Sequence, residues 1–232
     1  MTAMNAATGP GLIIVGPGKH FGAELVRRFV AAGFRVGVVA RRESSLAELR
    51  TDVGHDLLTL AADVTDTGAF EQALAELAGR LGRVDGLIYN PKASFKAAAL
   101  STDATDLGHA MAVNVTGAMV AIQTLLPWLE PRRGSVVLTG GGYKDEPDPD
   151  KLALSLGKAN LHALYKALNQ PLQRRGVTLK TVIIDGAVRR DEAGRGASSV
   201  LADFYWSIFE GGSGRIHRFP RDLRHLGQFK LL

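Results

Sequence analysis

The densest chemistry in the sequence lies at Gly16-Pro17-Gly18-Lys19-His20-Phe21-Gly22, between a short Val/Ile-rich run and a helix-length stretch. Glycines at 16, 18 and 22 let the backbone turn tightly and approach a phosphate. The helix behind them offers unpaired N–H groups and the positive end of its dipole. Apolar run, glycine loop and helix in that order is the setting of a dinucleotide pyrophosphate loop. Lys19, His20 and Phe21 are therefore candidate cofactor contacts beside the three glycines. A plain βα turn that happens to contain glycines is the alternative.

The second apolar run ends in Ala40-Arg41-Arg42. A carboxylate there would bind the ribose 2′-hydroxyl of NAD and repel a 2′-phosphate, whereas arginine grips a phosphate bidentately. NADP(H) is the expected cofactor, with two solvated arginines as the alternative. Tyr143 follows the triple glycine 140–142, and Lys92 follows the fourth apolar run. Ser155-x-x-Lys158 puts a lysine one helical turn after a serine, a spacing that can activate a nucleophile. His55, His109 and His162 stand alone, without metal-ligand spacing, and there is no cysteine. No metal is expected.

These residues must be held by a scaffold. The 232 residues are 46% apolar and 22% charged, which suits one sizeable core. Residues 12–15, 35–40, 57–61, 86–89, 135–138 and 178–184 are short Val/Ile/Leu runs without polar alternation, as in strands buried on both faces. Helices are predicted over 20–32, over 66–81 with Asp66 as cap, over 103–126 with Pro127 ending it, and over 198–209. Ser45 and Glu48 form a possible capping box, and Pro171 should kink or shorten a helix over 152–174. Strands alternating with helices imply an α/β, Rossmann-type doubly wound parallel sheet in three layers, a single domain over 11–232. Residues 1–10 read as a disordered lead-in.

The net charge of +5 is scattered except near the C-terminus, so a nucleic-acid surface is not expected. No apolar run approaches the ~20 residues of a membrane span, so a cytoplasmic protein without a membrane partner is expected. The loop 144–150 is acidic and Pro-rich, either solvated or a cleft rim. Residues 215–230 form a basic stretch, with Arg221 and Arg224 at helical spacing.

From residue 11 to 188 the chain resembles the short-chain dehydrogenase/reductase family. The resemblance rests on Gly16…Gly22, Ala40-Arg41-Arg42, Ala62-Asp63-Val64-Thr65-Asp66, Asn90, Asn114-Val115-Thr116-Gly117 and Lys158-Ala159-Asn160-Leu161. It implies that Asp63 and Val64 contact the adenine and that Asn90 lies beside the cofactor ribose. It implies that Asn114 distorts a helix and holds a water, and that Lys158 binds the nicotinamide ribose. The stretch 185–188, with Gly186 and Val188, would meet the carboxamide, and 189–196 would form a mobile lid. A small-molecule substrate and a homodimer or homotetramer are also implied.

The departures are as informative. The family's catalytic Tyr stands one helical turn before the Lys, where this chain has Leu154. Its catalytic Ser falls near Gly140-Gly141, its middle loop glycine is His20, and its Asn-Asn-Ala-Gly segment reads Tyr89-Asn90-Pro91-Lys92. Loss of a positioned acid costs about 10²–10⁴-fold. One reading keeps NADP(H)-dependent reduction of a carbonyl, enone or imine, with Lys158, Asn114 and Tyr143 catalytic and Tyr143, Lys92 or water as donor. A second keeps the cofactor without redox turnover, as a regulatory subunit or a catalyst of cyclisation or isomerisation. A third uses Ser155 as nucleophile.

Overall fold

A computed structural model describes residues 9–18, 21–54, 57–186, 188, 197–211 and 215–220. Seven strands, β1 (Gly11–Val15), β2 (Arg35–Ala40), β3 (Leu58–Ala61), β4 (Gly86–Tyr89), β5 (Ser135–Gly141), β6 (Thr178–Ile184) and β7 (Ile216–Phe219), form one sheet. Their order is β3-β2-β1-β4-β5-β6-β7, and every pairing is parallel. Helices α1 (Phe21–Ala31), α2 (Glu43–Val53), α3 (Thr67–Leu81), α4 (Ala104–Met111), α5 (Gly117–Leu129), α6 (Leu152–Arg174) and α7 (Ser198–Glu210) cover both faces. This is the predicted doubly wound α/β fold.

Burial on both faces explains the unbroken apolar runs. In β1, Ile13 and Val15 join the core under α3, α5 and α6, while Leu12 and Ile14 join the core under α1 and α7. The aromatic part of the second core is a herringbone. Phe29 of α1 meets Phe209 of α7 at 5.3 Å and 90°, and Trp206 at 5.5 Å and 81°. Such edge-on pairs add to the area they bury. They dock α7, which carries Tyr205, against the first βα unit.

Several expectations are corrected. No capping box forms, because α2 starts at Glu43 with Arg42 at the N-cap and no side-chain cap, which places Ser45 inside the first turn. Asp66 does cap α3, accepting from the Ala69 N–H. Pro127 does not end its helix and Pro171 does not shorten its own. Each proline sacrifices one hydrogen bond near a helix end, while the leucines that follow, Leu129 and Leu172, are seated in the core.

The long helix is also interrupted, by a π-helical turn over Ala112–Thr116. The stretch Ala104–Arg132 is long and apolar enough to cross a membrane by length and composition, which corrects the sequence reading. Here just over half of it is buried, with α5 against α3 and α4 against α6. β5 runs on through Gly140 and Gly141. The strand β7 was hidden by basic composition, yet its residues alternate: His217 and Phe219 face inward against Phe204, and Ile216 is exposed. Residues 1–8, 189–196 and 221–232, which hold most of the expected lead-in, the lid and the Arg221/Arg224 pair, lie outside the described residues.

Phe29→Ala should cost about 3–5 kcal/mol, the usual range for a buried phenylalanine. Urea unfolding followed by circular dichroism measures it. A loss below ~1 kcal/mol would mean that α7 is not anchored through this ring.

Candidate functional site

The strand order reverses between β1 and β4, so the loops after them diverge and leave a crevice at the carboxyl ends. A cavity of about 900 Å³ opens there, large enough for a cofactor and a small substrate. Its walls come from the ends of the strands and from α6.

At one part of this cavity lie Gly16, Gly18 and Phe21. Both glycines have positive φ, +65° and +76°. A Cβ on Gly22 would lie 2.3 Å from Pro17 Cβ, so only glycine lets the loop fold this tightly onto α1. The Asn90 amide donates to the Gly16 carbonyl at 2.7 Å and ties the end of β4 to the loop. Lys19 and His20 lie outside the described residues.

Beyond the loop, Arg41 and Arg42 stand exposed on the wall with Asp63 and Val64. Burial opposes ionisation of Asp63, but hydrogen bonds from Thr65 and the positive fields of Arg41 and His109 outweigh it and hold its pKa below the usual value. His109 lines the same cavity, edge-on to Phe95.

The third part of the cavity is lined by Tyr143, Lys158, Gly186 and Val188, with Thr139 and Leu154. Asn114 stands behind this wall, fully buried at the π-helical turn, and its amide exchanges hydrogen bonds with the Ala93 backbone at 3.2 and 3.3 Å. Gly157 of α6 makes room for it, since a Cβ there would come within 2.6 Å of its Nδ2. The Lys158 ammonium donates to the Thr139 carbonyl at 2.7 Å, and its stem runs past Gly141. The Thr139 hydroxyl shares a 2.7 Å hydrogen bond with Tyr205. Burial, helped by the charge of Lys92, lowers the Lys158 pKa to about 8.

Residues 11–190 match the short chain dehydrogenase family. This chain belongs to that family. It is 34% identical over 137 residues to a cis-2,3-dihydrobiphenyl-2,3-diol dehydrogenase of Paraburkholderia xenovorans (strain LB400), covering 56% of this chain and 49% of that protein. The chain thus spans about half the length of this relative. It is 28% identical over 172 residues to a protein of Xanthobacter autotrophicus (strain ATCC BAA-1158 / Py2) named inactive 2-(S)-hydroxypropyl-CoM dehydrogenase 2, covering 74% of each. A metagenomic short-chain oxidoreductase solved with NADP superposes with a TM-score of 0.78 at 17% identity, over 92% of this chain and 96% of the other. That likeness is one of fold.

Most of the candidates drawn from scattered motifs line a single cavity and Asn114 stands behind it; Gly22 does not line it, and Lys19 and His20 lie outside the described residues. The nucleophile reading fails on geometry. Ser155 accepts from the Asp148 N–H at 3.0 Å and serves the preceding loop, while Lys158 turns to Thr139. Thr139 and Lys151 carried no signal in sequence. Thr139 precedes glycines in a buried strand, and Lys151 ends an acidic loop. The loop 144–150 is largely exposed and contributes no residue to the cavity lining, but it is tied down at Asp145. Arg218 of β7 grips Asp185 with two bonds at 2.9 Å and Asp145 at 3.0 Å.

Folded Lys158 releases its proton near pH 8, whereas its ordinary value is 10.5. The folded state therefore binds fewer protons between those values, and stability rises with pH across that window. The destabilisation from burying the charge is fully present below pH 8. Lys158→Met should be most favourable, relative to the parent, at pH 7, and should lose up to about 3 kcal/mol of that relative advantage by pH 10.5. Urea unfolding of both proteins at several pH values checks the sign; a pH-independent difference would contradict it.

Proposed function

We propose that this chain is an atypical NADP(H)-dependent oxidoreductase that reduces a small carbonyl, enone or imine, with Tyr143 as its proton donor. The position one turn before Lys158 holds Leu154, and the strand end opposite holds Gly141, so neither of the family's usual hydroxyls is available there. The observation that carries the reading is that Tyr143 is the one tyrosine lining the cavity, which Lys158 and Gly186 also line.

The cradle fits a nicotinamide dinucleotide. The glycine loop would take the pyrophosphate, Asp63 and Val64 the adenine, and Asn90 and Lys158 the ribose side. Gly186 and Val188 would meet the carboxamide. Arg41 and Arg42, with no acid at the end of β2, favour a 2′-phosphate. A nicotinamide held there would supply the hydride. Tyr143 would give its hydroxyl proton to the substrate oxygen or nitrogen, and Leu154 would keep that part of the pocket dry. Asn114 braces the wall through Ala93. An enone or iminium accepts hydride more readily than a simple ketone, and so demands less of a displaced acid.

A second reading, cofactor binding without turnover, is favoured by the same Leu154 and Gly141 and by the name of the Xanthobacter relative. A homodimer or homotetramer in the cytoplasm is the setting we propose for either.

NADPH fluorescence titration, with a turnover panel of ketones, enones and imines, separates the two readings. NADPH oxidation supports the first; tight binding with no oxidation across the panel supports the second. Arg41→Ala with Arg42→Ala should weaken NADPH by about 10–100-fold, the worth of one charge-assisted contact, and leave NADH unchanged. Tyr143→Phe should lower kcat about 10²–10⁴-fold with NADPH affinity unaltered.

A further inference from the structure

We propose that Lys151, held by Asp148, is the positioning residue that makes the Tyr143 hydroxyl a proton donor towards the cavity. This rests on the reading of Tyr143 given above, and it assigns the role of ammonium partner to a lysine other than Lys158.

The ammonium of Lys151 lies 2.9 Å from the Tyr143 oxygen. An ammonium has three donors and no acceptor, so the phenol oxygen must accept from it. The hydroxyl proton is then directed elsewhere, and the cavity is what the ring lines. Lys151 is not part of the cavity wall; it sits behind the phenol at the N-terminus of α6. When the O–H bond breaks, the proton bonds to the substrate atom that receives it. The electron pair stays on the phenol oxygen, beside a positive charge at hydrogen-bond distance. Water later returns a proton to that oxygen.

The mount is rigid. Asp148 accepts from Lys151 at 2.8 Å through Oδ2 and from the Asp150 N–H at 2.9 Å through Oδ1. Its own N–H donates to Ser155 Oγ at 3.0 Å, and its carbonyl accepts from the Lys151 N–H. The hydrogen bond to Asp148, then that to Tyr143, raises the Lys151 pKa and keeps the amine charged at every working pH. Lys158 has the opposite character, buried, with its pKa lowered and a hydrogen bond donated to the Thr139 carbonyl. The short 3₁₀ turn Gly142–Lys144 and the loop to Lys151 thus bring a phenol and a lysine together without using helical spacing.

Lys151→Met removes the positive charge behind the phenol, whereas Lys151→Arg keeps it. With NADPH and phenanthrenequinone as probe, Lys151→Met should lose about tenfold or more in kcat at unchanged NADPH affinity, and Lys151→Arg should recover most of it. Thermal melts matched to the parent show that the variants fold. A parent protein that oxidises no NADPH overturns the reductase reading and the role of Lys151 with it. Loss of activity in Tyr143→Phe with full activity in Lys151→Met overturns the role of Lys151 alone.

Discussion

Every contact in the cavity depends on one constraint: a parallel sheet buried on both faces must satisfy its backbone polar groups between strands. No strand can turn back directly, so each returns through a helix, and all strand ends point the same way. The seven carboxyl ends therefore share one rim, and the reversal between β1 and β4 opens it. Residues as far apart in the chain as Gly16, Asn90 and Gly186 meet there because the sheet has no other place for its loops.

The end of the cavity near Lys158 combines a buried lysine with an apolar helix turn. Lys158 keeps its helix, its burial and a bond to the end of β5. Leu154 makes the helix turn before it apolar, and the buried lysine stem runs past Gly141 at the strand end. Polar groups are instead gathered on the connection from β5 to α6, where Tyr143, Asp148 and Lys151 are linked. Arg218 reaches this connection from the edge strand and also holds Asp185, at the start of the segment leading to Gly186. Two walls of the cavity are thus braced by one guanidinium, whose planar fork suits two carboxylates.

Much of the frame was legible in the residues. The runs at 35–40, 86–89 and 178–184 became strands with those bounds, because a buried strand has no polar face to blur its pattern. Asp66 was legible as a cap because its carboxylate acts three residues away. The capping box at Ser45 was misread, since the same spacing fits a serine already inside a helix. Pro127 and Pro171 were misread because burial of a neighbouring leucine outweighed a local preference. β7 was missed because its basic residues hid a two-residue alternation, and that alternation acquires meaning only beside β6.

The sequence by itself determined the alternation of the first six strands with helices, the glycine loop after β1, the arginines after β2, and the leucine one turn before Lys158. Each of these is local, set by residue type and by spacing along one element. Only the tertiary structure decided that Lys158 turns to Thr139, that Ser155 serves the loop, and that Lys151 stands behind Tyr143. Those are contacts between separate elements, or across a loop without periodicity. Their partners are chosen by how the sheet and helices pack, which spacing along the chain does not encode.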